Sequence, residues 1–298
     1  MPQLQLQDYS SLIHLEGDFV PSLLLTNAEK IVDEIISQLL IEPNAPKDVE
    51  IPDNYQGKRN LLRALLNIRE AKPLNADILN KINALLQTEL KEKGIVEVEK
   101  LDSVAKQFPN NPYRQSNKFS LWQGDITQLN ANAIVNAANK HMLGCYQPLH
   151  ACIDNAIHSA AGPQLRDDCD IIMSAQKELE ETGKAKITSA YNLPANFVLH
   201  TVGPIVPKGT ELTKEQRDEL TSSYISCLEL ANKIDKIKTV AFCAISTGVF
   251  GFPKPEAAHI AVSTVNQWLE SQPNHFEKII FNVFSEGDFN EYAKVFTS

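Results

Sequence analysis

Residues 239–253 read TVAFCAISTGVFGFP, and this stretch decides how the second half of the chain folds. Thr239–Ile245 is a short apolar run bounded by turn residues, which is the pattern of a buried strand. Ser246–Pro253 then brings two glycines, Gly248 and Gly251, and a closing proline, after which Pro255–Glu270 takes up helical spacing. Strand, glycine turn and helix in succession form the repeating unit of an α/β sheet. The same alternation extends outward, with strands expected at Phe119–Gln123, Ala133–Asn136, Ile187–Leu193, Phe197–Val202 and Lys278–Phe284, and helices at Leu165–Glu181 and Lys214–Lys233. Two more strands end in polar turns, Gly124-Asp125-Ile126-Thr127 and Asn136-Ala137-Ala138-Asn139, and Ala156–Gly162 reads as a further helix. The three loops leave the carboxyl ends of strands, which is where open α/β sheets place ligands.

The first third of the chain is different. Leu23–Leu40, Gly57–Ile68 and Asn75–Leu90 carry apolar residues at helical spacing, the first with Leu24, Ile31, Ile35 and Leu39 on one side. Asn27 offers a start, Pro43 and Pro46 a stop, and Gly94 an end to the third helix. Only Gly17, Gly57 and Gly94 of the twelve glycines lie here. A Pro/Asn-rich stretch at 107–113 joins the halves, so a helical N-terminal region at 1–113 and an α/β domain at 114–298 are expected.

Composition narrows the function. With 298 residues, 43% hydrophobic and 22% charged, the chain is an ordinary globular protein with room for two units. A net charge of −9 argues against a protein that grips nucleic-acid phosphates. No apolar run reaches the roughly 18 residues of a membrane helix; Val20–Leu25 is broken by Pro21, and MPQLQLQDYS lacks a secretory pattern. No nucleic acid, no membrane and a cytoplasmic setting are therefore expected. The five cysteines, an odd number with none before Cys145, are not read as a disulfide framework.

Cys145, His150 and Cys152 stand out as C-x₄-H-x-C within eight residues. Two thiolates and an imidazole suit Zn²⁺, a loop this short can wrap one ion, and three ligands leave a position open, as catalytic zinc sites do. The plainer reading is two buried free cysteines beside a hydrogen-bonded histidine. His141, Cys169, Cys227 and Cys243 have no partner at ligand spacing and are read as surface or core residues, and His158 as packing.

GDIT, NAAN, IHSAAG and STGVFGFP, in this order, resemble the motifs of the macrodomain family of ADP-ribose-binding α/β modules, over about residues 115–298. The resemblance implies a three-layer α/β/α fold with a mixed central sheet, here preceded by the helical region. Relatives that remove ADP-ribose from proteins usually carry a run of glycines after NAAN. Gly144–Cys152 replaces it here and, with the N-terminal extension, resembles the zinc-dependent bacterial protein-ADP-ribose hydrolases. That subgroup implies zinc on Cys145, His150 and Cys152. It also implies a mono-ADP-ribosylated protein as substrate, associated with a sirtuin-type transferase and a lipoyl-carrier protein of the glycine-cleavage type. A non-cleaving ADP-ribose reader and a hydrolase of small ADP-ribose derivatives are the alternatives.

The same resemblance assigns the groove. Asp125 would accept from the adenine amino group with the Ile126 N–H on a phosphate, and Phe284 would stack on adenine. Ser246, Thr247, Gly248, Val249 and Phe250 would offer backbone N–H groups to the pyrophosphate, because an acidic protein must meet that charge with its backbone. Asn139 would bind the distal ribose, and Ile153 and Asp154 would line the same end. Asp154 is open between orienting water, binding the ribose and supporting a zinc ligand.

Overall fold

The computed structural model describes residues 3–21 and 27–297, so Leu23–Thr26 of the first expected helix, Leu24 included, lie outside the described residues. The N-terminal region holds α1 (Leu6–Tyr9), α2 (Ala28–Leu40), α3 (Tyr55–Ile68) and α4 (Ala76–Lys93). Asparagine caps the last three: Asn27, Asn54 and Asn75 each accept a backbone N–H from the first turn. Val32, Ile35, Ile36 and Leu39 of α2 pack on Leu62 and Leu65 of α3 and on Ile78, Ile82, Leu85 and Leu86 of α4, forming a small core of their own. Gly94 ends α4 with φ of 87°.

The rest alternates strands and helices. They run β1 (Val96–Glu97), α5 (Val104–Gln107), β2 (Phe119–Gln123), β3 (Leu129–Asn130), β4 (Ala133–Ala137), α6 (Ile153–Ala161), α7 (Pro163–Gln176), β5 (Ala185–Ser189), β6 (Phe197–Thr201), α8 (Lys214–Ala231), β7 (Thr239–Phe242), α9 (Lys254–Ser271), β8 (Lys278–Val283) and α10 (Glu286–Thr297). The six-stranded sheet has the order β2-β8-β7-β4-β6-β5 and is mixed: β5 runs antiparallel to β6, and the other pairings are parallel. Helices α8, α9 and α10 pack together on one layer and α6 with α7 on the other, so the three-layer fold is as expected. The strands are buried on both faces, as a sheet covered by helices requires.

The edge strand β5 is covered by the chain's own start. Tyr9 is buried, and its phenol oxygen accepts the Ile187 N–H at 3.0 Å, using a donor that an open edge would leave to another chain. The pair β1–β3 stitches the segment after α4 beside the loop that follows β2. Among the described residues no helix is long and apolar enough to cross a membrane.

Some boundaries differ from the periodicity. The strand expected over 187–193 occupies Ala185–Ser189, because the chain turns at Tyr191, which takes a φ of 53°. The helix expected to run to Glu181 stops at Gln176, capped by Lys177 in the left-handed conformation. The strand expected over 239–245 ends at Phe242. Helix α10 was not expected from the periodicity.

Tyr191 Oη donates to Asp168 Oδ2 at 2.5 Å, tying that turn to α7. Burial, reinforced by Asp167 and opposed by the Tyr191 hydroxyl, pushes the Asp168 carboxyl up to about 7 from its ordinary value of 3.8. A carboxyl whose folded pKa exceeds its unfolded one stabilises the fold fully below about pH 4 and loses that contribution as pH rises through 7. Asp168→Asn, neutral throughout, is expected to melt about 5 °C above the parent at pH 8 and level with it at pH 3. Melting curves across this range check it; parallel profiles would show that the carboxyl is ionised in the fold throughout.

Candidate functional site

The loops after β2, β8, β7 and β4 open at the same edge of the sheet, because these strands are parallel neighbours. The chain departs to one side from β4 and to the other from β7, so the gap between their loops is a topological switch point.

At the β2–β8 end stand Asp125 and Phe284. Asp125 caps a 3-10 turn at Ile126–Gln128, its Oδ1 accepting the Thr127 N–H at 3.0 Å and the Thr127 hydroxyl at 2.7 Å. Its Oδ2 is paired with the Lys93 ammonium from the end of α4. Burial pushes this carboxyl up, but the bonds from Lys93 and Thr127 outweigh it and hold the pKa below the ordinary value. Ile126 is buried. Phe284 stands just past β8 and is 78% exposed, so it is not a core residue. The two positions are adjacent: Gly124 donates to the Val283 carbonyl and Gln123 Nε2 to the Phe284 carbonyl.

The loop after β7 makes a cradle. Gly251 has φ of 71°, and a Cβ there would lie 2.7 Å from the Val206 carbonyl oxygen, so only glycine fits. Phe252 donates to the Ser246 carbonyl and Val206 to the Phe250 carbonyl, which closes the loop on both sides. Ser246 is itself left-handed, with φ of 65° and a buried hydroxyl without a partner among the described residues. The N–H groups of Gly248, Val249 and Phe250 meet no backbone or side-chain acceptor among the described residues. Three adjacent free amides beside a tight turn favour an anion.

The loop between β4 and α6 carries the cysteines. The donor atoms of Cys145, His150 and Cys152 all lie within 4.8 Å of one another, with Cys145 Sγ 3.6 Å from His150 Nδ1. A zinc tetrahedron has an N–S edge of about 3.5 Å, so the set fits that ion in donor type and spacing. All three are half-buried. Burial pushes the Cys152 thiol up to about 11, with the Cys145 thiol and Asp154 adding to it; a divalent cation supplies the charge that reverses this. Cys152 also caps α6, its sulfur accepting the Asn155 N–H at 3.4 Å.

Asp154 lies behind this loop, 5% exposed. Its Oδ1 accepts from Asn136 Nδ2 at 2.8 Å and its Oδ2 from Asn139 Nδ2 at 3.3 Å. Burial pushes the carboxyl up to about 6, opposed by both amides and by Arg166. Asn139 also donates to the Gly144 carbonyl at 3.0 Å and accepts the His141 N–H at 2.9 Å, so it braces the loop as well as facing Asp154. Asn136 was quoted in the NAAN turn without a role; its place as a polar residue at the end of an apolar strand is the signal that marks it.

His158, read from the sequence as packing, is buried but not apolar in its surroundings: its Nε2 lies 3.6 Å from Asp154 Oδ1, and a ring nitrogen lies within 4.8 Å of the donor atoms of Cys169 and His200. A Cβ on Gly144 would lie 2.9 Å from the His158 ring, so the imidazole is a floor beneath the start of the loop. Burial, His200 and Arg166 hold His158 neutral, and burial lowers the His200 pKa to about 3. Cys169, Cys227 and Cys243 are buried and His141 is exposed. Cys169 has partners that its spacing in sequence did not suggest: the fold brings its sulfur 3.9 Å from His200 Nε2 and within 4.8 Å of a His158 ring nitrogen.

An α/β domain whose polar loops gather at one edge of a mixed sheet is what the fold defines. The chain belongs to the macrodomain family. The Macro domain profile matches residues 135–261. A Treponema medium protein named protein-ADP-ribose hydrolase is 45% identical over 261 residues, covering 88% of this chain and 96% of its own length. A Staphylococcus aureus (strain MSSA476) protein of the same name is 41% identical over 265 residues, covering 89% and 94%. Among solved structures, the Trypanosoma brucei macrodomain in complex with ADP-ribose superposes with a TM-score of 0.56 at 27% identity, over 93% of this chain and 99% of that one.

Proposed function

We propose that this protein is a zinc-dependent hydrolase that releases mono-ADP-ribose from a modified protein side chain. Hydrolysis of protein-linked ADP-ribose rests on the near full-length likeness to relatives bearing that name. The observation that carries the reading is the order of groups along the sheet edge. Asp125 and Phe284 stand at β2 and β8, the free amides at β7, and Asn139, Asp154 and the cysteine loop at β4. Three strand spacings of ~4.8 Å span about 14 Å, and the sequence of an aromatic and a carboxylate, an anion cradle and a polar pocket matches adenine, pyrophosphate and distal ribose laid end to end.

The chain's own groups then divide the work. Asp125 accepts from the adenine amino group while Phe284 covers its face. The Gly248, Val249 and Phe250 amides take the pyrophosphate. Asn139 and Asp154 meet the distal ribose hydroxyls, and fixing that sugar supplies rate by orientation as positive charge builds at its anomeric carbon. Bound zinc on Cys145, His150 and Cys152 would contribute a Lewis-acidic position beside that sugar. The substrate proposed is a lipoyl-carrier protein modified by a sirtuin-type transferase, supported by the resemblance of the loop and extension, and the setting is the cytoplasm, supported by five unpaired thiols.

The direct test follows free ADP-ribose released from a mono-ADP-ribosylated carrier protein, comparing metal-replete and chelator-stripped protein. Release should vanish with the metal and return with added zinc. ADP-ribose binding without release in either sample would make the chain a reader, and release indifferent to the metal would make the zinc structural. Equal turnover of a small ADP-ribose ester would point away from a protein substrate.

The adenine end can be tested apart from the metal end. Phe284→Ala is expected to weaken ADP-ribose binding about tenfold, the value of one base–aromatic contact, with zinc content unchanged. Calorimetric titration with ADP-ribose checks this, and an unchanged affinity would remove Phe284 from the site.

A further inference from the structure

The N-terminal helices reach the cysteine loop through a buried polar chain. Asn67, in the last turn of α3, is 3% exposed and hydrogen-bonded through both its amide oxygen and its amide nitrogen. Its Oδ1 accepts the Leu149 N–H at 3.0 Å, and its Nδ2 donates to Ser159 Oγ on α6 at 3.1 Å. One helical turn earlier, Arg63 donates to Asn155 Oδ1 at 2.7 Å and to Ser159 Oγ at 3.2 Å. Asn155 passes this on by donating through Nδ2 to the Gln147 carbonyl at 3.2 Å. Both ends of the segment Gln147–Leu149 are therefore fixed to α3, across a gap of more than eighty residues in sequence.

What that fixing does is visible at Leu149. Its φ is 56°, a left-handed conformation that a side chain with a Cβ adopts only at a cost. Its side chain is 44% exposed, so packing does not hold the conformer. The next residue is His150, whose N–H donates to the Gln147 carbonyl and whose carbonyl accepts the Cys152 N–H, a tight turn that depends on how Leu149 is set. Relaxation of Leu149 to an extended conformation would swing the imidazole away from Cys145. We infer that Asn67 is a positioning residue of the cysteine–histidine loop, holding Leu149 left-handed so that His150 faces the two thiols, and that the N-terminal helices are thereby a built part of the metal site. This rests on the zinc reading above, and the test separates the two.

The experiment measures zinc affinity by chelator competition, and the thiolate-to-metal absorption of the Co²⁺-loaded protein, on the full chain. Asn67→Ala is expected to weaken zinc 10- to 100-fold, the usual effect of removing a group that orients a ligand, and to diminish the cobalt band. Adding Leu149→Gly to that variant should recover most of the lost affinity, because glycine takes the left-handed conformation freely. Asn67→Asp, which keeps an acceptor for the Leu149 N–H and can accept from Ser159, should bind zinc within about threefold of the parent. It serves as the comparison if the alanine chain does not fold.

Asn67→Ala binding zinc as tightly as the parent, with the same cobalt band, would overturn the inference and leave the zinc reading intact. Loss that Leu149→Gly does not repair would also overturn it, since the left-handed residue would then not be the link. An Asn67→Asp chain that folds but binds zinc as poorly as a metal-ligand variant would do the same. A parent that binds neither metal would overturn this inference and the zinc reading together.

Discussion

Cys152→Ser is expected to lower ADP-ribose release about a thousandfold and to strip the protein of zinc, while leaving the fold in place. The size follows from the several kcal/mol that a Lewis-acidic ion contributes at a reacting centre, at 1.36 kcal/mol per tenfold in rate. Selectivity follows from the two jobs of this side chain. As a donor it completes the set with Cys145 and His150, whose atoms lie within 4.8 Å. As a cap it accepts the Asn155 N–H at the start of α6. Serine is a poor zinc ligand and a better helix cap than cysteine, so the substitution removes the first job and keeps the second. Metal analysis, a melting curve and the release assay on the same preparation check all three. Loss of zinc with turnover retained would reduce the ion to a clasp for the loop and move the chemistry to Asp154, whose carboxyl is already set between Asn136 and Asn139.

Comparing this loop with the groove explains what could be read from the sequence. The strands and glycine turns were legible because each is a local pattern: an apolar run, a polar turn, a helix cap. Their order along the chain gave the order of loops, and parallel pairing put the loops on one edge. The cysteine and histidine spacing was legible because the donors sit within eight residues of one another. Phe284 was not settled by pattern, since KIIFNVF continues the apolar run through the last strand, whereas the chain turns there and leaves the ring outside.

Contacts between distant segments were not legible. Lys93 meets Asp125 across 32 residues and Asn67 meets Leu149 across 82, and neither pairing has a signature in its own neighbourhood. On α3 the residues Arg59, Arg63 and Asn67 recur every four positions, a stripe that in sequence looks like a solvated helix face. It is half covered, because α3 packs on α6 with that face inward. The stripe meets protein rather than water: Arg59 pairs with Glu89 on α4, Arg63 bonds to α6, and Asn67 reaches the loop.

Arg166 makes the same connection from α7, and its removal is expected to cost the most stability of any single change around the site. It is 6% exposed, and no carboxylate is hydrogen-bonded to it among the described residues. Its Nε donates to the Leu143 carbonyl at 2.8 Å, at the start of the cysteine loop, and its Nη1 to the carbonyls of Leu66 at 3.0 Å and Arg69 at the end of α3. The guanidinium also lies 4.4 Å from the centre of the Tyr146 ring. One side chain thus serves three carbonyls from two segments and anchors an aromatic of the loop. Arg166→Met keeps most of the volume but leaves those acceptors without a donor, at about 1–3 kcal/mol for each one that stays dry. Allowing for water at some of them, about 4 kcal/mol is expected, a fall in melting temperature of about 6 °C. Arg166→Lys should recover less than half of this, because an ammonium cannot reach three carbonyls in the guanidinium's planar spread. Thermal unfolding of the metal-free protein measures the loss without the contribution of zinc. Equal melting temperatures for the methionine variant and the parent would mean that water replaces the guanidinium at all three carbonyls, and that α3 and the cysteine loop are joined by Asn67 and Arg63 alone.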